Sequence, residues 1–128
     1  VENNSDRRRE KRLRYHWPVW FAEDFSGLIF HGQMIDVSSS AACFTYPADE
    51  NCPYMGQELT TRFSIPCYDK DGGFDLANFA RSAKVFRIDE SSHYIRRIAV
   101  QFSENLPFRP GHQAQYGSDH LKFSAVTI

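Results

Sequence analysis

Residues 7–14 read Arg7, Arg8, Arg9, Glu10, Lys11, Arg12, Leu13 and Arg14, and they hold six of the fifteen Lys and Arg of the chain. Arg8 and Arg12 lie four apart, so both project from one side of the segment whether it is extended or helical. Two guanidinium forks on one side can converge on one ligand. Each fork donates parallel hydrogen bonds to a phosphate or to the O6 and N7 acceptors of guanine, and its flat face stacks on a purine ring. The remainder of the chain carries nine basic against fifteen acidic residues. Positive charge confined to one segment suits a discrete anionic ligand better than a long nucleic-acid track.

A second group follows at Asp36, Val37, Ser38, Ser39, Ser40 and Ala41. A carboxylate at the end of a strand accepts from paired N–H donors, and guanine offers such a pair at N1 and N2. The two-residue period of a strand puts Ser38 on the same side as Asp36, where its hydroxyl adds a contact or caps the turn. Each group has a structural alternative. Arginine runs are commonly solvated tails, and Asp followed by serines is also a self-bonded turn that recognises nothing.

The remaining polar residues offer little chemistry. Cys43, Cys52 and Cys67 are odd in number and lack C-x-x-C spacing, which argues against a disulfide framework or a zinc site. The five histidines show no ligand spacing, so no metal is expected. Asp69 with Asp71 and Asp89 with Glu90 sit in turn-like stretches, and no nucleophile elbow, P-loop or dinucleotide fingerprint is present. The chain is expected not to be an enzyme and to need no cofactor. No apolar run reaches the ~18 residues that cross a bilayer, and no apolar leader marks secretion. We expect a cytoplasmic protein without a membrane span, either alone or as the cytoplasmic part of a longer one.

The elements that position these groups are strands. Aromatic residues make up 15% of the chain, which suits a pleated surface. Alternation predicts a first strand over residues 15–22, with Pro18 at an edge or bulge. Further strands are predicted at 28–37, 42–46, 59–65, 80–88 and 94–102. The fourth stops before Pro66, and a long connection spans 69–78. Six short strands favour an all-β antiparallel barrel, because closure removes exposed edges. Residues 1–6 read as a disordered N-terminal tail and 105–128 as a C-terminal extension with a short helical segment around 111–116.

The order of an arginine motif, a Pro-interrupted strand, a second strand ending in Asp-x-Ser and a barrel-like strand series resembles the PilZ domain family. Arg8-Arg9-Glu10-Lys11-Arg12 matches its R-x-x-x-R segment, and Asp36-Val37-Ser38-Ser39-Ser40-Ala41 matches its D/N-x-S-x-x-G segment except at the last position. Ala99-Val100-Gln101-Phe102 looks like its closing strand, so the resemblance covers residues 7–104. It implies a six-stranded PilZ-type β-barrel that binds the bacterial second messenger cyclic di-GMP and signals to a downstream protein effector, with no nucleic-acid polymer as partner. Arg8 and Arg12 would grip phosphates and guanine edges, Asp36 and Ser38 would contact a guanine, and Arg9 would touch a phosphate. Arg7, just before the motif, is associated in the family with two stacked ligand molecules. Ala41 replaces a glycine that allows a sharp turn or close approach, and alanine disfavours positive φ by roughly 1 kcal/mol. The alternative is a degenerate domain that binds proteins and no nucleotide. The ligand is expected to order the arginine segment as it wraps over it.

Overall fold

The computed structural model of the chain describes residues 10–68 and 73–113. Alternating apolar residues build seven strands: β1 (Leu13–Arg14), β2 (Pro18–Ala22), β3 (Phe30–Val37), β4 (Ala41–Pro47), β5 (Glu58–Tyr68), β6 (Phe74–Glu90) and β7 (Ile95–Phe102). All neighbouring strands are antiparallel. The order β3-β2-β5-β6-β7-β4 returns to β3 through the β3–β4 pairing, which closes a six-stranded barrel with β1 as a short addition on β3. The fold predicted from alternation and from the family resemblance is therefore the one observed.

The barrel is filled from every strand. Val19 and Phe21, Met34 and Val37, Phe44, Phe63 and Ile65, Val85, Ile98 and Val100 are all buried within it. Phe21 packs on Phe44 at 5.2 Å between ring centroids, and Phe63 stacks on Phe102 at 5.5 Å. Removing one such ring to alanine costs about 3–5 kcal/mol, a large share of the stability of a small domain.

Three predicted boundaries need correction. The first strand is split, because residues 15–17 cross a bulge on β3: only Tyr15 N–H to the Ile35 carbonyl and Met34 N–H to the Trp17 carbonyl join the two there. Pro18 then begins β2, a position that needs no donor. The fourth strand does not stop at Pro66. β2 pairs with β5 only over Thr60–Phe63, so from Ser64 onward one edge of β5 has no strand neighbour and the missing N–H of Pro66 breaks no ladder. The 69–78 connection is correspondingly shorter, since Tyr68 already pairs with Phe74 in a long β5–β6 hairpin.

After β7 the chain folds back across one end of the barrel. Leu106 enters the core and Phe108 packs on Phe79 at 5.8 Å. Residues 110–113 form a helical turn, and the expected helical stretch beyond 113 lies outside the described residues, as do the 1–6 tail and the rest of the C-terminal extension.

Candidate functional site

Asp36 owes its place to the bulge on β3. Gly32 and Met34 point into the barrel, and strict alternation would send Asp36 after them. The register instead shifts between Met34 and Asp36, leaving Ile35 as the extra residue. One extra residue reverses the faces that follow. Val37 goes in, fully buried, and the Asp36 carboxylate goes out with 16% of its side chain exposed.

Pairing of β1 with this end of β3 brings the arginine segment alongside. Leu13 lies opposite Val37 and Arg14 opposite Asp36, with Leu13 buried as the anchor. Arg12, one residue earlier, donates from Nη1 to Asp36 Oδ1 at 3.3 Å. Glu10 reaches the turn itself: its Oε2 accepts from Ser39 N–H at 2.8 Å and its Oε1 from the Ser39 hydroxyl at 2.6 Å. Over residues 10–14 the segment is thus fastened to the barrel by β1 pairing and by the Glu10 and Arg12 side chains.

The turn between β3 and β4 has every backbone donor satisfied. Ser38 N–H donates to the Ala41 carbonyl at 2.8 Å, and Ser40 and Ala41 N–H both donate to Ser38 Oγ, at 3.3 and 3.1 Å. Ser39 N–H is taken by Glu10. Carbonyls of Ser39 and Ser40 accept from Leu106 and Phe102 N–H at 2.7 and 2.8 Å. With its own peptides occupied, the turn presents side chains rather than backbone donors to anything that lands on it.

Around Asp36 the outer row carries small side chains. Opposite it across β4 and β7 stand Cys43 and then Ala99, whose neighbour on β6 is Arg87. Cys43 is buried although it belongs to the outer row. Burial, assisted by the Asp36 charge, pushes its thiol up to about 11, so it is a neutral floor and not a nucleophile. Arg97 pairs in register with Asp89 one row away, and Arg87 is bridged to Asp89 at 2.9 Å. The result is a shallow floor of small side chains with guanidinium groups at its rim, a shape on which a flat ring with polar edges can rest.

The residues singled out from sequence therefore divide. Arg12 and Asp36 come together. Ser38 is buried and bonds within the turn, which it holds in shape. Ala41 starts β4 opposite Gln101, and no non-glycine residue among the described residues has positive φ, so alanine strains nothing there. Arg7, Arg8 and Arg9 lie outside the described residues. Glu10, Cys43, Ala99 and Arg97 were not singled out; Glu10 was visible only as a carboxylate within a run of cations. A wide cleft of about 730 Å³ opens elsewhere, bounded by His16, Trp17, Phe30, Gln33, Tyr46 and Ile95, but no Arg, Lys, Asp or Glu lines it. The three cysteines are free thiols, and no His, Cys, Asp and Glu cluster able to hold a metal occurs among the described residues.

Comparison with known proteins adds two findings. The family model of the PilZ domain matches residues 6–115. Among solved structures, the chain is similar to the Bacillus subtilis inhibitor of motility MotI/DgrA, with a TM-score of 0.62 and 14% identity over 84% of this chain and 46% of that one. That likeness is one of fold, and this chain spans less than half the length of the neighbour. No curated protein matches.

Proposed function

Because the chain belongs to the PilZ domain family, we propose that it is a receptor domain for cyclic di-GMP, gripped between the arginine segment and the outer face around Asp36. The observation that carries this reading is the meeting of Arg12 and Asp36, 24 residues apart, at 3.3 Å on the barrel surface. Both belong to the motifs that would bind the ligand, and the fold delivers them to one place.

Ligand entry is an exchange of partners. The Arg12–Asp36 pair makes one hydrogen bond and is partly solvated, so parting it costs about 0–1 kcal/mol. Arg12 then turns to a phosphate or the guanine O6 and N7 acceptors, and Asp36 to guanine N1–H and N2–H, all charge-assisted bonds worth about 1.5–3 kcal/mol each. Cys43 and Ala99 form the floor beneath the base. Arg8 and Arg9 supply further phosphate contacts, and Arg7 favours a second ligand molecule. Ser38 acts through the turn it braces. The domain is a binding module with no reaction of its own and works in the bacterial cytoplasm. No helix among the described residues is long and apolar enough to cross a membrane.

A second role, docking of a protein effector, has its own support. Leu28, Tyr54, Met55 and Tyr94 stand exposed in loops at the other end of the barrel, and apolar side chains gathered there suit a protein partner. Calorimetric titration of the purified domain with cyclic di-GMP tests the receptor reading. Binding that Arg12→Ala and Asp36→Ala each weaken about 100-fold is expected; no binding by the parent would overturn it and leave the docking role alone.

A further inference from the structure

We propose that Glu10 is a positioning residue that holds the arginine segment on the β3–β4 turn before ligand arrives. The inference rests on the receptor reading for its effect on affinity, and on the geometry alone for its effect on order.

Three observations converge on it. Glu10 uses both carboxylate oxygens on one residue, taking the N–H and the hydroxyl of Ser39 at 2.8 and 2.6 Å, a paired charge-assisted arrangement that fixes direction as well as distance. The N–H it takes is the single turn donor that Ser38 and Ala41 do not satisfy between them. Without Glu10 that partly buried amide has no protein acceptor in the turn. Finally, the segment is packed against a second element. A Cβ on Gly111 would clash with the Lys11 carbonyl group and lie 2.8 Å from the Arg12 carbonyl carbon, so the helical turn sits directly against the backbone that follows Glu10. That turn is itself anchored, since Gln113 donates from Nε2 to the Pro66 carbonyl at 2.7 Å and accepts Tyr68 N–H at 3.1 Å.

Held by Glu10 at one contact and by Gly111 at another, Lys11 and Arg12 have little freedom left to lose when a ligand binds. Preorganisation of this kind raises affinity by lowering the ordering cost and adds no contact to the ligand. It also places the one negative charge of the cationic run against two donors of the turn, which satisfy it there.

Backbone hydrogen exchange of residues 11–14 in the ligand-free protein, compared among the parent, Glu10→Ala, Glu10→Gln and Ser39→Ala, tests this together with cyclic di-GMP titration of each. Glu10→Ala should exchange at least about tenfold faster, the loss of both charge-assisted bonds to Ser39, with exchange in β2–β7 little changed and Tm lowered by only a few degrees. Glu10→Gln should stay near the parent because its amide oxygen still accepts from Ser39 N–H, and Ser39→Ala, which loses only the hydroxyl, should fall between. Affinity should drop about fivefold to tenfold in Glu10→Ala and return in Glu10→Gln, and saturating ligand should equalise exchange in all four. Equal exchange in parent and Glu10→Ala overturns the proposal, as does unchanged or tighter ligand binding by Glu10→Ala, which would make Glu10 a bystander or a competitor. If the parent binds no cyclic di-GMP, the receptor reading fails while the exchange comparison still decides whether Glu10 holds the segment.

Discussion

The two ends of the barrel are ordered in different ways. At the arginine end a self-bonded β3–β4 turn is tied down by bonds long in sequence: Glu10 to Ser39, Arg12 to Asp36, Leu106 to Ser39. At the other end the loops mostly fasten themselves. Asp24 accepts from Ser26, Asp49 from Asn51 N–H, and Gln57 from Tyr54 N–H, all two or three residues apart. Gln57 to Glu23, Ala48 N–H to the Tyr94 carbonyl, and the Gly56 and Gln57 backbone to Val85 add bonds long in sequence. A loop fastened largely within itself depends less on the rest of the chain, whereas the arginine segment is placed only when distant segments have met. The first arrangement suits a fixed display of Leu28, Tyr54 and Met55; the second suits a site whose geometry must register the whole fold.

Changes of chain length should separate the ends most sharply. Deleting Ile35 removes the bulge but keeps Met34 and Val37 inward and Asp36 outward, so circular dichroism should still show a folded barrel; the straightened β3 loses the carbonyl that Tyr15 N–H reaches, and cyclic di-GMP binding should be lost in calorimetry. One extra glycine after Met55, at the other end, should cost less than about 1 kcal/mol in denaturant unfolding, because loop closure depends weakly on length. Next in size, Arg12→Ala and Asp36→Ala should each weaken cyclic di-GMP binding about 100-fold in calorimetry, the loss of one or two charge-assisted bonds, while changing stability by less than about 1 kcal/mol. Asp49→Ala should do the reverse, losing about 0.5–1.5 kcal/mol of stability with its turn bond and leaving ligand affinity untouched. Smallest is Ala41→Gly. If a family-like glycine were needed for the turn, affinity would rise; with φ already ordinary at position 41, we expect only about 0.5–1 kcal/mol of lost stability from the freer chain.

Strand alternation was readable wherever each strand obeys one period, as in Phe30–Met34, Ala42–Tyr46 and Ile98–Phe102, and it led to the barrel. It failed where a neighbour sets the rule. Pro66 reads as a strand end, and only the absence of β2 beside it permits β5 to continue to Tyr68. The bulge left a faint trace, apolar Met34 and Val37 three apart in a strand. Arg12 and Asp36 could be paired from their motif order. Glu10 could not, because nothing in residues 7–14 says which carboxylate or cation will find an acceptor or donor 29 positions later. Cys43 and Ala99 were equally silent, since their value lies in being small beside Asp36, a property of register rather than of type.

Contact of Gly111 with Lys11 has a consequence for biosynthesis. At roughly 5–20 residues per second, a ribosome releases the arginine segment about five to twenty seconds before the residue that backs it, and Ser39 emerges in between. A nascent chain can therefore close the Glu10 contact early but cannot seat Lys11 until nearly all of the described chain has been translated. A product that stops before Gly111 would carry Arg12 and Asp36 and lack the support behind Lys11, so on the proposed receptor reading it should bind ligand more weakly than the longer chain.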